Sequence, residues 1–172
     1  DGFVVVADNI TIAVSKVVMP LTSLKTHFKI SARFRDVQDM VLGNIDFSGW
    51  LDWTPKDMDA KLSLRDFNVA YFSPYYSDFI SHKKLESALL NTESVFKAVH
   101  NDLSIDTNLK LSKMVYAQEE HAPGENTSGI NLVKNTLDFF ADKQGNINLR
   151  FQINTKLDTP RIGAQEIQKA IL

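Results

Sequence analysis

The sequence predicts an α+β fold that is mainly β: one long, twisted antiparallel sheet, a curved groove or open half-barrel, with about three short helices. Two observations carry this. Apolar and polar residues alternate with period two over most of the chain, so that each strand has one oily and one wet face. Helical spacing, by contrast, is confined to a few short stretches. The 172 residues, 44% apolar and 23% charged, suit one module with a core of its own. We read residues 1–172 as a single β-rich module belonging to a longer protein.

The alternation is clearest from Leu24, where Leu24, Thr26, Phe28, Ile30, Ala32 and Phe34 interleave with Lys25, His27, Lys29, Ser31, Arg33 and Arg35. Ile10, Ile12 and Val14 set the same pattern before it. Ile45, Phe47, Gly49, Leu51 and Trp53 continue it afterwards, opposite Asn44, Asp46, Ser48 and Asp52. A turn over Trp53-Thr54-Pro55-Lys56-Asp57 leads into a strand carrying Met58, Ala60, Leu62 and Leu64. Ser73 and Pro74 then suit the N-cap and first position of a short helix to about Ile80.

Leu85–Leu90 and Val95–Val99 read as two short strands, and Leu103, Ile105, Leu109 and Leu111 as a longer one. The segment from Gln118 to Ser128 is a loop. Ile130, Val133, Leu137 and Phe140 lie at helical spacing, closed by Asp142-Lys143-Gln144-Gly145. Ile147, Leu149, Phe151 and Ile153 form the last strand, stopped near Thr159-Pro160, and Gly163 to Leu172 forms a third short helix.

Roughly eight such strands, ~4.8 Å apart and about 35 Å long, present an apolar face on the order of 1,300 Å². Short helices ~10 Å wide cover about a third to a half of it. The remainder exceeds what soluble monomers leave bare. The sheet therefore curls on itself, stacks on a neighbouring module, or holds acyl chains.

Catalytic chemistry finds no footing. There are no cysteines, which removes disulfides, thiolate zinc sites and cysteine nucleophiles. His27, His82, His100 and His121 lack metal-ligand spacing. The pairs Asp57/Asp59 and Asp102/Asp106 alternate onto edges and turns, and no Gly-x-Ser-x-Gly or phosphate-cradling loop occurs. A net charge of -2 argues against a nucleic-acid partner. No cofactor, metal or catalytic residue is expected. Lys25, Lys29, Arg33 and Arg35 line one strand face, which reads as solvated, with contact to anionic headgroups or an acidic partner as the functional alternative. Phe67, Tyr71, Phe72, Tyr75, Tyr76 and Phe79 gather at the junction after the fourth strand, as a lid at one end of the sheet or the mouth of a groove.

Two stretches resemble the AsmA-like proteins of Gram-negative envelopes, in particular the branch long described as a domain of unknown function. The first runs from Gly49-Trp50-Leu51-Asp52-Trp53-Thr54-Pro55 through Leu62-Ser63-Leu64-Arg65-Asp66-Phe67 to Phe72-Ser73-Pro74-Tyr75. The second runs from Asn101-Asp102-Leu103 through Leu132–Phe140 and Asp142-Lys143-Gln144-Gly145-Asn146-Ile147-Asn148-Leu149 to Leu157-Asp158-Thr159-Pro160. Ser81-His82-Lys83-Lys84 departs from that pattern, where the family more often has a glycine-bearing turn.

The resemblance implies a non-enzymatic periplasmic module of an inner-membrane-anchored protein, its anchor outside this sequence. It also implies a β-groove serving phospholipid transport and outer-membrane homeostasis. On that expectation the groove is lined by Phe28, Ile30, Phe34, Ile45, Phe47, Leu62, Leu64, Leu149, Phe151 and Ile153, and its partners are phospholipid acyl chains and neighbouring modules of the same chain. The alternative is a structural or assembly module with a closed core that stacks on neighbouring modules or protein partners.

Overall fold

The computed structural model describes residues 4–17, 24–73, 85–116 and 141–162. They form one open, seven-stranded antiparallel sheet in sequential order: β1 (Val6–Ser15), β2 (Thr26–Arg35), β3 (Val41–Asp52), β4 (Asp57–Asn68), β5 (Leu85–Val99), β6 (Asp102–Tyr116) and β7 (Ile147–Lys156). Every strand pairs antiparallel with its neighbour in the chain, and the connections β2–β3, β3–β4 and β5–β6 are short.

The mainly β class holds; the three short helices are not borne out. Among the described residues the helical structure is the 3-10 turn Val69–Phe72 and the α-helical residue Ser73 that follows it. The expected helices after Pro74, over Ile130–Phe140 and over Gly163–Leu172, like the loop from Gln118 to Ser128, lie outside the described residues. Asp142–Gly145, expected to close a helix, instead makes the turn between Ala141 and Ile147, which form an antiparallel bridge. Asp142 Oδ1 accepts the backbone N–H groups of Gln144 and Asn146 at 2.8 and 2.9 Å, and Gly145 takes the left-handed conformation at φ 74°.

The two short strands expected over Leu85–Leu90 and Val95–Val99 are one strand of 15 residues. Its middle carries Thr92 and Ser94 where the pattern calls for apolar residues, and these hydroxyls interrupt the alternation without interrupting the backbone.

The connections explain the register. Between β2 and β3, Asp36 Oδ1 accepts the N–H groups of Gln38 and Met40 at 2.9 and 2.8 Å, and Asp39 is left-handed at φ 68°. Between β5 and β6 the loop is two residues, His100 and Asn101, both left-handed at φ 48° and 75°, the type I′ geometry that suits a twisted hairpin. Bulges interrupt β1 after Asp8 and β4 after Leu64, with Asn9 and Asp66 at positive φ. Such insertions bend a strand and increase its twist.

The two ends of the sheet are held differently. At one end Phe34 meets Phe67 edge-on at 5.8 Å between ring centroids, Phe67 stacks on Phe72 at 4.7 Å, and the Tyr71 hydroxyl donates to the Val4 carbonyl at 2.8 Å. Tyr75, Tyr76 and Phe79 lie outside the described residues. At the other end a polar network joins the β3–β4 and β5–β6 connections to the segment after β7. Asn101 Nδ2 donates to Asp158 Oδ1 at 3.0 Å, the Asp158 N–H donates to Asn101 Oδ1 at 3.0 Å, and Lys56 Nζ binds Asp158 Oδ2 at 2.6 Å. The His100 N–H donates to Asp57 Oδ1 at 2.7 Å.

Candidate functional site

Register assigns every strand residue to a face. Read across the sheet, one row is Val14, Phe28, Gly49, Ala60, Phe96, Ile105 and Ile153. The next is Ile12, Ile30, Phe47, Leu62, Ser94, Thr107 and Phe151. The third continues through Ala32, Ile45, Leu64, Thr92, Leu109 and Leu149, and Phe34 follows beside Gly43. All ten residues expected along the groove therefore stand on one face. Eight are half-buried; Phe151 and Ile153 are buried.

The centre of this face is built around two small residues. Gly49 and Ala60 sit side by side between Phe28 and Phe96. The Phe47 ring spans that gap, its centroid 4.9 Å from Phe28 and 5.7 Å from Phe96. A Cβ on Gly49 would lie 2.5 Å from the Ala60 Cβ and 2.3 Å from the Asp59 carbonyl. Directly opposed Cβ atoms normally stand ≈ 4.5–5.5 Å apart, so β3 and β4 leave no room for a side chain at position 49.

Apolar burial is greatest around β5–β7 and least on β1. Around β5–β7, Ala98, Leu103, Ile105, Phe151 and Ile153 form a buried cluster with Met58, Phe96, Leu149 and Leu157 packed against it. Ile153 on β7 is 5% exposed, whereas on β1 Ile10, Ile12 and Val14 are 57%, 65% and 53% exposed. The apolar face is more deeply buried toward β5–β7 than toward β1.

Sequence patterning missed a hydroxyl inset in this face. Thr92, Ser94 and Thr107 are buried there; Ser94 Oγ and Thr107 Oγ1 share a hydrogen bond of 2.9 Å, while Thr92 Oγ1 has no partner. Only the register of β5 against β6 reveals it.

The opposite face is polar and carries several ion pairs. Arg35 pairs with Asp8 at 2.6 Å and with Asp39, Lys61 pairs with Glu93 at 3.0 Å, and Arg65 pairs with Asp46. The Lys25 ammonium stands 3.9 Å from the Trp50 ring centroid. Hydrogen bonding to Asp39, with both carboxylates nearby, raises the Arg35 pKa further above its ordinary value. A shallow depression of about 480 Å³ over β4–β7 is lined mainly by polar residues, among them Ser63, Arg65, Glu93, Asn108 and Lys110, together with Leu64, Thr92 and Leu109.

The ionisable groups of interest are dispersed. His27 lies on the polar face and His100 in a turn; His82 and His121 lie outside the described residues. Asp57 caps the β5–β6 turn, Asp59 is exposed, and Asp102 pairs with Lys156. Among the described residues no three His, Asp or Glu side chains meet as a metal site, and no helix is long and apolar enough to cross a membrane. No family model, curated protein or solved structure matches this chain.

Proposed function

We propose that the apolar face is a lipid-holding surface: a curved β-groove whose half-buried floor over β2–β4 takes acyl chains while headgroups remain in water. The observation that carries this reading is the graded exposure of the face, with Phe28, Phe47 and their neighbours half-buried and the β1 aliphatics exposed. Each methylene moved from water onto such a surface contributes about 0.8 kcal/mol. A chain segment of moderate length is therefore held reversibly, as carriage between membranes requires.

With the AsmA-like resemblance, the role is that of a non-enzymatic periplasmic module in phospholipid transport and outer-membrane homeostasis. A second reading, a closed structural module that stacks on its neighbours, is favoured by the sealed cluster at β5–β7. The two separate in one experiment. Photo-crosslinking residues placed at Phe28 and Phe47, with native mass spectrometry of the purified chain, yield phospholipid adducts on the first reading. Lipid-free protein, with no lipid adduct from either position, leaves only the second.

A further inference from the structure

The hydroxyl inset interrupts an otherwise hydrocarbon surface. Ser94, Thr107 and Thr92 are 5%, 7% and 9% exposed, so each is more than nine-tenths buried. Ser94 and Thr107 face each other across β5 and β6, and Thr92 stands on the same face of β5, opposite Leu109. Apolar side chains flank them on both sides: Leu62 and Phe151 continue the row of the Ser94–Thr107 pair, and Leu64 and Leu149 continue the row of Thr92. No charged side chain stands in either row.

Hydrogen-bond capacity specifies what would complete the inset. The Ser94–Thr107 bond uses the proton of one of those two hydroxyls, while Thr92 Oγ1 is buried without any partner. A buried hydroxyl in that condition costs more than a methyl group of the same shape, so valine would serve the fold better than threonine at position 92. The row of Thr92 is not sealed: Leu64, Leu109 and Leu149 are half-buried, and a turn about the threonine χ1 exchanges its hydroxyl and methyl positions. A phosphate or carboxylate placed there would lose its water with no cation in either row to meet it. A plain alkyl chain would leave the Thr92 proton unmet. A neutral carbonyl carried on a hydrocarbon chain satisfies both conditions.

We infer that Thr92, with the Ser94–Thr107 pair beside it, reads the ester carbonyl of an acyl lipid whose chain lies across β4, β3 and β2. From β5 to β2 the two rows run roughly 14 Å at ~4.8 Å per strand without a polar side chain: Leu62, Phe47 and Ile30 in one, Leu64, Ile45 and Ala32 in the other. This specificity rests on the lipid reading and narrows it, from any hydrocarbon on the face to an ester-linked chain seated at a fixed place.

The test is competition between two lipids that differ only at the linkage. The purified chain is incubated with vesicles made of equal parts of diacyl phosphatidylglycerol and its dialkyl-ether analogue of the same chain length, and the lipid carried by the protein is quantified by mass spectrometry. The ester should be recovered about two- to tenfold over the ether, the worth of one added hydrogen bond. T92V and T92A should each bring the two lipids to parity, and T92S should keep the preference for the ester, with circular dichroism confirming that each variant is folded. Equal recovery of both lipids by the unaltered chain overturns the proposal and leaves the lipid reading standing. Recovery of neither overturns both. A preference for the ester that survives T92V and T92A assigns its recognition to another group and also overturns the proposal.

Discussion

Gly49 is where one hydrogen atom decides local geometry. A methyl group there would enter the space of the Asp59 carbonyl and the Ala60 Cβ, both backbone-fixed, so the neighbours cannot yield by rotating a side chain. G49A should cost about 1–3 kcal/mol, the range for overpacking a fitted core, and should disturb the ring contacts of Phe47; thermal unfolding and aromatic NMR shifts check both. Asp158 makes a second single-residue case. Its carboxylate accepts from Lys56 Nζ and from Asn101 Nδ2, which lower its pKa from 3.8 to about 2. Because the folded-state pKa is the depressed one, the contribution is fully present above the ordinary value and is lost as pH falls through about 2. A carboxyl titration by NMR should find Asp158 low, and K56A should move it back upward. The sequence marked Gly49 and Asp158 as members of turn and strand motifs. What each touches depends on register between distant segments, which alternation does not specify.

Strands were legible wherever one face is purely apolar, as in β2, β3, β4 and β7, because period two then survives intact. They were not where hydroxyls enter the oily face. Thr92 and Ser94 split the β5 pattern into two apparent pieces, and the His100–Asn101 hairpin escaped notice because it contains no glycine. The hydroxyl inset also separates satisfied from unsatisfied polar burial. Thr92 Oγ1 is buried without a partner, whereas Ser94 and Thr107 bond each other. T92V replaces an orphan hydroxyl by a methyl group of similar shape and should raise stability by about 1 kcal/mol; S94A strands Thr107 and should lower it by about 1–3 kcal/mol. Urea midpoints at unchanged slope decide the pair, and opposite signs on one strand are the expected result.

At the scale of the whole sheet, seven strands share one apolar face but not one environment. Patterning foresaw that face and the ten residues along it, yet it treats all ten alike, since alternation reports orientation and not cover. The structure divides them: Phe151 belongs to the buried cluster around β5–β7, while Phe28 stands half-buried toward β1. The division separates stability from binding. F151A empties a packed site and should cost about 3–5 kcal/mol. F28S removes a ring that keeps its contact to Phe47 but has water beside it, so its folding cost should be a fraction of that. If the half-buried floor is what grips acyl chains, the order reverses for ligand. F28S should then reduce phospholipid recovered with the purified chain several-fold, whereas F151A, measured at a temperature where it remains folded, should retain most of it. Denaturant unfolding and lipid extraction from the same preparations give both orders together. A chain in which the two substitutions rank alike in stability and in lipid recovery would have a face of one kind, packed throughout, and the closed-module reading would stand.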